Sequence, residues 1–207
     1  MESPVGGSGA PVGRHSHTAV MHGATMIIFG GIDASDAFLN DLWTIDMTGY
    51  VASWVPASPS VLKPTPRKGH SAAIIGELMY VFGGIDNTGR LLSELWAFNM
   101  TDSQWSQVDC GDKVPQPRQQ HTATTLHEGM YVFGGKSGFY LGDLWRFSPG
   151  ACWESVSATN VPTARSDHTA SVWTRSDGSS ALVVLGGISN DRRLDDFFVF
   201  DADAGSW

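Results

Sequence analysis

Four arginines are each followed three positions later by a histidine: Arg14 and His17, Arg67 and His70, Arg118 and His121, Arg165 and His168. A guanidinium offers a planar fork of donors that grips carboxylates and other anions, and an imidazole ligates metals or moves protons near neutral pH. Downstream of each pair stands an acid that opens a short acid, apolar, aromatic run: Asp41 in DLW, Glu94 in ELW, Asp143 in DLW and Asp196 in DFF. Arginine and carboxylate in equal number suggest internal ion pairs, in which each arginine fastens the start of a strand.

These residues sit inside a longer repeat. MIIFGG begins at 26, MYVFGG at 79 and again at 130, and LVVLGG at 182, so the period is about 50 residues. A further tryptophan closes each unit, at Trp54, Trp105, Trp153 and Trp207. Within a unit the strand signals fall into four short runs: a small-residue run such as HTAV, the apolar run ending in Gly-Gly, the LWTI-type run and a last run around tryptophan. Side-chain size rises from the first run to the fourth, which is what a wedge-shaped antiparallel sheet needs if its thin end crowds an axis. One such sheet cannot bury both faces alone, so the units are expected to stack as blades with aromatic residues filling the outer gaps.

The repeated R-x-x-H-[ST]-A, the apolar run with Gly-Gly and the aromatic pair resemble Kelch repeats, over residues 11–207. The resemblance implies an all-β Kelch-type β-propeller with four visible blades of four antiparallel strands each, as part of a six- or seven-bladed ring. Residues 1–10 are expected as a flexible lead, with blades at 11–56, 57–108, 109–156 and 157–207. An open arc would leave apolar flanks on its end blades for further blades or a partner chain to cover. In several Kelch proteins the face carrying the arginines is a shallow bowl that grips acidic peptides, so the resemblance also implies an anion-reading ring of Arg14, Arg67, Arg118 and Arg165. Internal buckles and a ligand-binding ring are both open at this stage. Equivalent histidines on adjacent blades stand roughly 10 Å apart, too far to share one metal, and are expected to hydrogen-bond backbone near the axis.

Where the copies agree, building a blade explains the residues; binding is therefore expected where they disagree. The differing loops are IDASDAF at 32, IDNTGRL at 85, KSGFY at 136 and ISNDRR at 188. Arg90, Lys136, Phe139, Tyr140, Arg192 and Arg193 join aromatic area to cationic donors, the residue types enriched at interface hot spots. The proline-rich link VPASPSVLKPTP at 55–66 is stiff, and is expected as a spacer or a further docking edge.

Composition narrows the function. Thirteen basic against 21 acidic residues give a formal charge of −8, which repels phosphate backbones and argues against nucleic-acid binding. The longest apolar runs, such as MIIF, fall far short of the roughly 18 residues of a membrane span. Cys110 and Cys152 lack metal-site spacing and are expected as free thiols in a reducing compartment, cytoplasmic or nuclear. The tyrosines and cysteines do not suggest the copper and Tyr–Cys site of Kelch-like oxidases, and the E-x-x-x-D-x-x-x-H iron pattern of the plant specifier proteins is absent. Residues 166–168, SDH, are neighbours on one strand and cannot form a nucleophile relay. The expectation is a non-catalytic scaffold or adaptor without cofactor or metal, binding a protein or an acidic peptide through its loop face. An enzyme whose reactive residues lie in other blades, or a structural element of a large assembly, are the other readings.

Overall fold

The computed structural model describes residues 9–48, 54–56 and 62–207, and every element among them is a β-strand. The first eight positions of the expected lead, and residues 57–61 of the proline-rich link, lie outside the described residues, as does the side chain of Trp54. Blade 1 comprises β1 (Arg14–His15), β2 (Thr18–His22), β3 (Thr25–Asp33), β4 (Phe38–Asp46) and β5 (Trp54–Pro56). In blade 2, β6 (Arg67–Lys68) pairs with β9 (Ile85–Asp86), while β7 (Ser71–Ile75), β8 (Leu78–Phe82), β10 (Leu95–Asn99) and β11 (Gln104–Val108) form its sheet. Blade 3 is β12 (Thr122–Leu126), β13 (Gly129–Phe133), β14 (Leu144–Ser148) and β15 (Cys152–Val156).

Blade 4 departs from the expected four strands. It has β16 (Thr169–Thr174), β17 (Ser180–Ser189) and β18 (Arg192–Phe200), all antiparallel, and the residues after them turn back through single bridges of Ser206 to Asp201 and Thr159. Trp207 nonetheless reaches the position that Trp105 and Trp153 hold in their blades, its backbone N–H donating to the Thr159 carbonyl at 3.1 Å.

The period-2 alternation of each strand sends one set of side chains to the preceding blade and the other to the following one. Met79, Trp96 and Phe98 of blade 2 join Ile27, Phe29 and Leu42 of blade 1 in one core. Tyr80, Phe82 and Leu95 join Met130, Phe147 and Trp153 of blade 3 in the next, and Tyr131, Phe133 and Leu144 join Leu182, Val184 and Phe200 of blade 4 in the third. The hydrophobic cores therefore lie between blades. The inner strands β2, β7, β12 and β16 pack on one another in that order, and β16 does not pack on β2 to a comparable extent, so the four blades form an open arc.

The Gly-Gly pair serves this stacking. Gly83 and Gly84 have φ of 67° and 95°, a region that L side chains avoid. A Cβ on Gly83 would stand 2.8 Å from the Arg118 carbonyl and 2.9 Å from the His121 ring of the next blade, and one on Gly84 would stand 2.8 Å from the Lys68 carbonyl of its own blade. Glycine is required because two backbones approach there at once.

The two cysteines are disulfide-bonded, Cys110 after β11 to Cys152 at the start of β15, with Cα atoms 5.5 Å apart. This overturns the expectation of free thiols. Spacing along the chain gave no sign of it, because the pair meets only when blades 2 and 3 stack rim to rim.

Candidate functional site

The segment leading into each inner strand and the loop between second and third strands meet on one face. Arg14 is in register with Asp33, Arg67 with Asp86, Gln119 with Lys136, and Ser166 with Ile188. Both the arginines and the variable loops thus gather there, but the arginines are turned inward. Arg67, Arg118 and Arg165 are fully buried. Arg118 shows the pattern: Nε donates to the Gln116 carbonyl at 3.1 Å, Nη1 to the Gly134 carbonyl at 3.0 Å, and both Nη groups to the Asp143 carboxylate at 2.8 and 2.7 Å. Arg14 grips Asp41 and Arg165 grips Asp196 with both Nη groups in the same manner, whereas Arg67 donates to Glu94 through Nη2 alone, at 2.9 Å. Most of each fork is consumed within its own blade, so the anion-reading ring implied by the resemblance gives way to the buckle.

The aromatic residue two positions beyond the acid completes the buckle. Trp43, Trp96 and Trp145 donate their indole N–H to Asp41, Glu94 and Asp143 at 2.7, 3.0 and 2.7 Å. Burial alone would raise the carboxyl pKa of Asp41, Glu94 and Asp143, but these hydrogen bonds and the guanidinium charge together bring it below the ordinary value. In blade 4 Phe198 cannot donate. Its ring instead lies 5.3 Å from the Arg165 guanidinium, while the Arg165 hydrogen bond is the main cause that lowers Asp196.

The histidines tie each blade to the one before. Nε2 of His70 meets Thr18 Oγ1 at 3.1 Å, His121 meets Ser71 Oγ at 2.7 Å, and His168 meets Thr122 Oγ1 at 2.8 Å. The partner is a side-chain hydroxyl, where backbone was expected, because the small hydroxyl residue opening each inner strand faces the next blade. Their Nδ1 atoms make no hydrogen bond of good geometry, although the Phe29 and Phe82 carbonyls lie near enough to His70 and His121 to favour the protonated ring slightly. Burial, then the neighbouring arginine, lowers all three pKa values, His70 to about 3 and His168 to about 4. With Ser166 hydroxyl bonded to Asp167 and His168 to Thr122, SDH is no relay.

A second tie, absent from the sequence reading, runs beside the axis. The third residue of each R-x-x-H has φ near +60°: Ser16 56°, Gly69 63°, Gln120 57° and Asp167 56°. Gly69 N–H donates to the Ser16 carbonyl at 3.1 Å, Gln120 N–H to Gly69 at 2.8 Å, and Asp167 N–H to Gln120 at 3.1 Å. Only one of the four is glycine, so residue identity carried little signal.

What remains for binding is set by the loops. The first two close on their own aspartates: Asp33 Oδ1 accepts from Ser35 and Ala37, and Asp86 Oδ1 from Thr88 and Arg90. Arg90 also lies 3.3 Å from Asp86 and 3.9 Å from Glu94, which engages it as a loop brace. Asn40 holds the Pro64 carbonyl at 3.0 Å, so this part of the proline link is tied to blade 1.

The third and fourth loops behave differently. Lys136 is pinned by its backbone to Gln119, and the tight turn after it leaves Phe139 largely exposed. Lys136 Nζ sits 5.0 Å from the Tyr140 ring centroid, and Tyr140 hydroxyl reaches Asp191 of blade 4 at 3.3 Å. Together Lys136, Phe139, Tyr140, Ser189, Asn190 and Asp191 line a groove of about 480 Å3 between the two loops. Asn190 and Asp191, with φ of 45° and 60°, form the tight turn of the β17–β18 hairpin. Ser189 is in register with Arg192 and Ile188 with Arg193, which puts Arg192 on the groove side of the hairpin and Arg193 on the opposite side. Among the described residues, Lys136, Arg192 and Arg193 have no acidic partner within ion-pair distance, in contrast to the seven other arginines. A larger cleft of about 560 Å3 lies on the rim beside Cys110 and Trp153, but its ionic residues Glu94 and Asp109 are acids at strand ends and bring no free donor. The smaller groove has the better chemistry.

A profile of the KLHDC2/KLHL20/DRC7 Kelch-repeats domain matches residues 2–177. The chain is 30% identical over 213 residues to the leucine-zipper-like transcriptional regulator 1 homolog of Drosophila melanogaster, covering 95% of this chain and 21% of that protein. Human host cell factor 2 is 32% identical over 184 residues, 78% of this chain and 23% of the relative. An F-box/kelch-repeat protein of Arabidopsis thaliana is 35% identical over 150 residues, 67% of this chain and 31% of the relative. The chain thus spans less than a third of the length of each of these relatives.

Proposed function

We propose, from the premise that this chain belongs to the Kelch-repeat family, that it is a protein-interaction scaffold whose binding site is the groove between the third and fourth loops. Kelch propellers generally serve protein interaction, and relatives such as host cell factor 2 and the F-box/kelch protein are in keeping with such a role. The observation that carries the reading is the meeting of Lys136, Phe139 and Tyr140 at one groove, with Arg192 paired to the groove-lining Ser189 on the hairpin beside it, both cations unpaired in a protein of charge −8. The partner is an extended segment bearing acidic residues for Lys136 and Arg192 and one apolar side chain for Phe139. Arg14, Arg67, Arg118, Arg165 and Arg90 support the face from beneath, and Arg193 lies outside the groove.

A fluorescent Asp/Glu-rich peptide carrying a single Leu or Phe is the probe. Fluorescence anisotropy should show saturable binding that weakens with salt and is lost in the Lys136→Glu, Arg192→Glu double variant, with thermal stability retained. Equal binding by that variant, or preference for a Lys-rich peptide, would refute the groove.

A further inference from the structure

Of the asparagines in the chain, Asn99 alone is followed two positions on by a hydroxyl residue, in Asn99-Met100-Thr101. That pattern is the acceptor for N-linked glycosylation when it lies in a surface turn. Here it closes the β10–β11 hairpin: Asn99 ends β10 and is half-buried, while Thr101 and Asp102 are exposed in the turn that leads to β11.

The turn has a twin in blade 1 that differs at one side chain. In Asp46-Met47-Thr48 the Met47 N–H donates to the Ala24 carbonyl at 2.9 Å and the Thr48 N–H to Asp46 Oδ1 at 2.8 Å. In Asn99-Met100-Thr101 the Met100 N–H donates to the Glu77 carbonyl at 3.1 Å and the Thr101 N–H to Asn99 Oδ1 at 2.9 Å. Asp201 caps the turn that follows the third strand of blade 4, accepting from Asp203 and Ala204. Such a cap asks only for a side-chain oxygen, which aspartate supplies in two blades. The Asn99 amide brings in addition a nitrogen that the turn does not use, and Nδ2 donates to no protein group among the described residues. An N-glycan is carried on that nitrogen and leaves Oδ1 to hold the turn.

The surroundings leave room for a sugar. A groove of about 420 Å3, lined in part by His22, Glu77, Met100, Thr101 and Ser103, opens beside the turn. Strand β10 begins next to Glu94 on the loop face and runs away from it, so a glycan at its far end stays clear of the Lys136 groove.

A second, independent observation bears on the compartment. The Cys110–Cys152 disulfide joins two half-buried cysteines, within reach of the thiols that keep cytosolic cysteines reduced, and a bond of this kind persists in the secretory pathway and beyond it. Asparagine glycosylation takes place in the same compartments. We propose that Asn99 is an N-glycosylation site and that the chain matures in an oxidising secretory compartment, in place of the cytoplasmic or nuclear location expected from free thiols. The donor is a polyprenyl-diphosphate-linked oligosaccharide. Nδ2 bonds to C1 of its first sugar as the C1–O bond to the diphosphate breaks, the amide proton passes to a base of the transferase, and the lipid diphosphate leaves.

The protein isolated from its natural source tests this, beside the same chain secreted from cultured eukaryotic cells. Peptide N-glycosidase in heavy-oxygen water should sharpen and speed the gel band and leave residue 99 as aspartate carrying the heavy isotope, and iodoacetamide should label neither cysteine of the denatured, unreduced chain. Among secreted variants, Thr101→Ser should keep the glycan and Thr101→Ala should lose it. Asn99→Asp, which repeats the cap of Asp46, should lose the glycan and melt at the temperature of the enzyme-treated wild type. Residue 99 of the natural protein recovered as unmodified asparagine, both cysteines alkylated without reductant, or a glycan that survives Asn99→Asp would each overturn the proposal.

Discussion

Blades 3 and 4 present outward flanks that are near copies in sequence pattern and opposites in environment. Phe133 and Leu144 are sealed by His168 and Trp207, while Leu185 and Phe197 meet solvent. The difference teaches that in this molecule hydrophobic pattern belongs to the blade and burial belongs to its neighbour. Stability therefore resides in the joints, and the same chemical change should cost very different amounts on either side of the last joint.

The largest contrast is expected from truncating the two flanks. Phe133→Ala should lose about 3–5 kcal/mol, roughly 6–20 °C of melting temperature, whereas Leu185→Ala at the equivalent place should stay within about 0.5 kcal/mol in dilute solution. Comparable losses in denaturant melts would break the comparison.

Acid should open the same joints. His70 and His168 carry folded pKa values of about 3 and 4, and His121 is well below the usual 6.5. The unfolded chain binds protons that the folded chain refuses, so this stability is complete above about pH 6.5 and drains as pH falls toward 4, by about 1.4 kcal/mol per unit for each ring. The buckle carboxylates, whose pKa values are depressed, lose their contribution only lower, below about pH 4. Melting temperature should fall between pH 7 and pH 5, with a shallower slope in His121→Gln. A flat profile over that range would remove the histidines from the account.

The rim of the joint between blades 2 and 3 is crosslinked, and that between blades 3 and 4 is held there by the Trp207 hydrogen bond to Thr159. Reduction frees a loop of 42 residues and should cost up to about 4 kcal/mol in chain entropy, with Cys152→Ser showing the same loss without reductant. The smallest effect concerns the buckles. Trp145→Phe gives blade 3 the aromatic that blade 4 already has, and should cost about 1 kcal/mol through one lost hydrogen bond to Asp143.

Much of the architecture was legible because the repeat compares the chain with itself. The fixed spacing from Arg118 to His121, repeated in every copy, and that from Phe133 to Gly135 report local geometry that every copy must satisfy. The equal count of arginines and acids pointed to buckles before their geometry was known. Features made by one blade meeting another were not legible. The Cys110–Cys152 bond, the hydroxyl partners of the histidines and the groove joining Tyr140 to Asp191 each depend on residues about 40–50 positions apart that stacking brings together. The axial ladder was hidden for another reason, because it is written in backbone angles at Ser16, Gly69, Gln120 and Asp167, whose side chains share nothing. In blade 4, Trp207 takes the place of Trp153 in the joint, although the residues beside it make only the single bridges of Ser206 to Asp201 and Thr159.

Thiol labelling of single cysteines placed at equivalent positions tests the central claim most directly. In Leu95→Cys, Leu144→Cys and Phe197→Cys chains, dilute and folded, the cysteine at 197 should react at nearly the rate of an unstructured peptide while those at 95 and 144 are strongly protected. Equal rates at 144 and 197 would contradict the claim that a following blade is what buries this position.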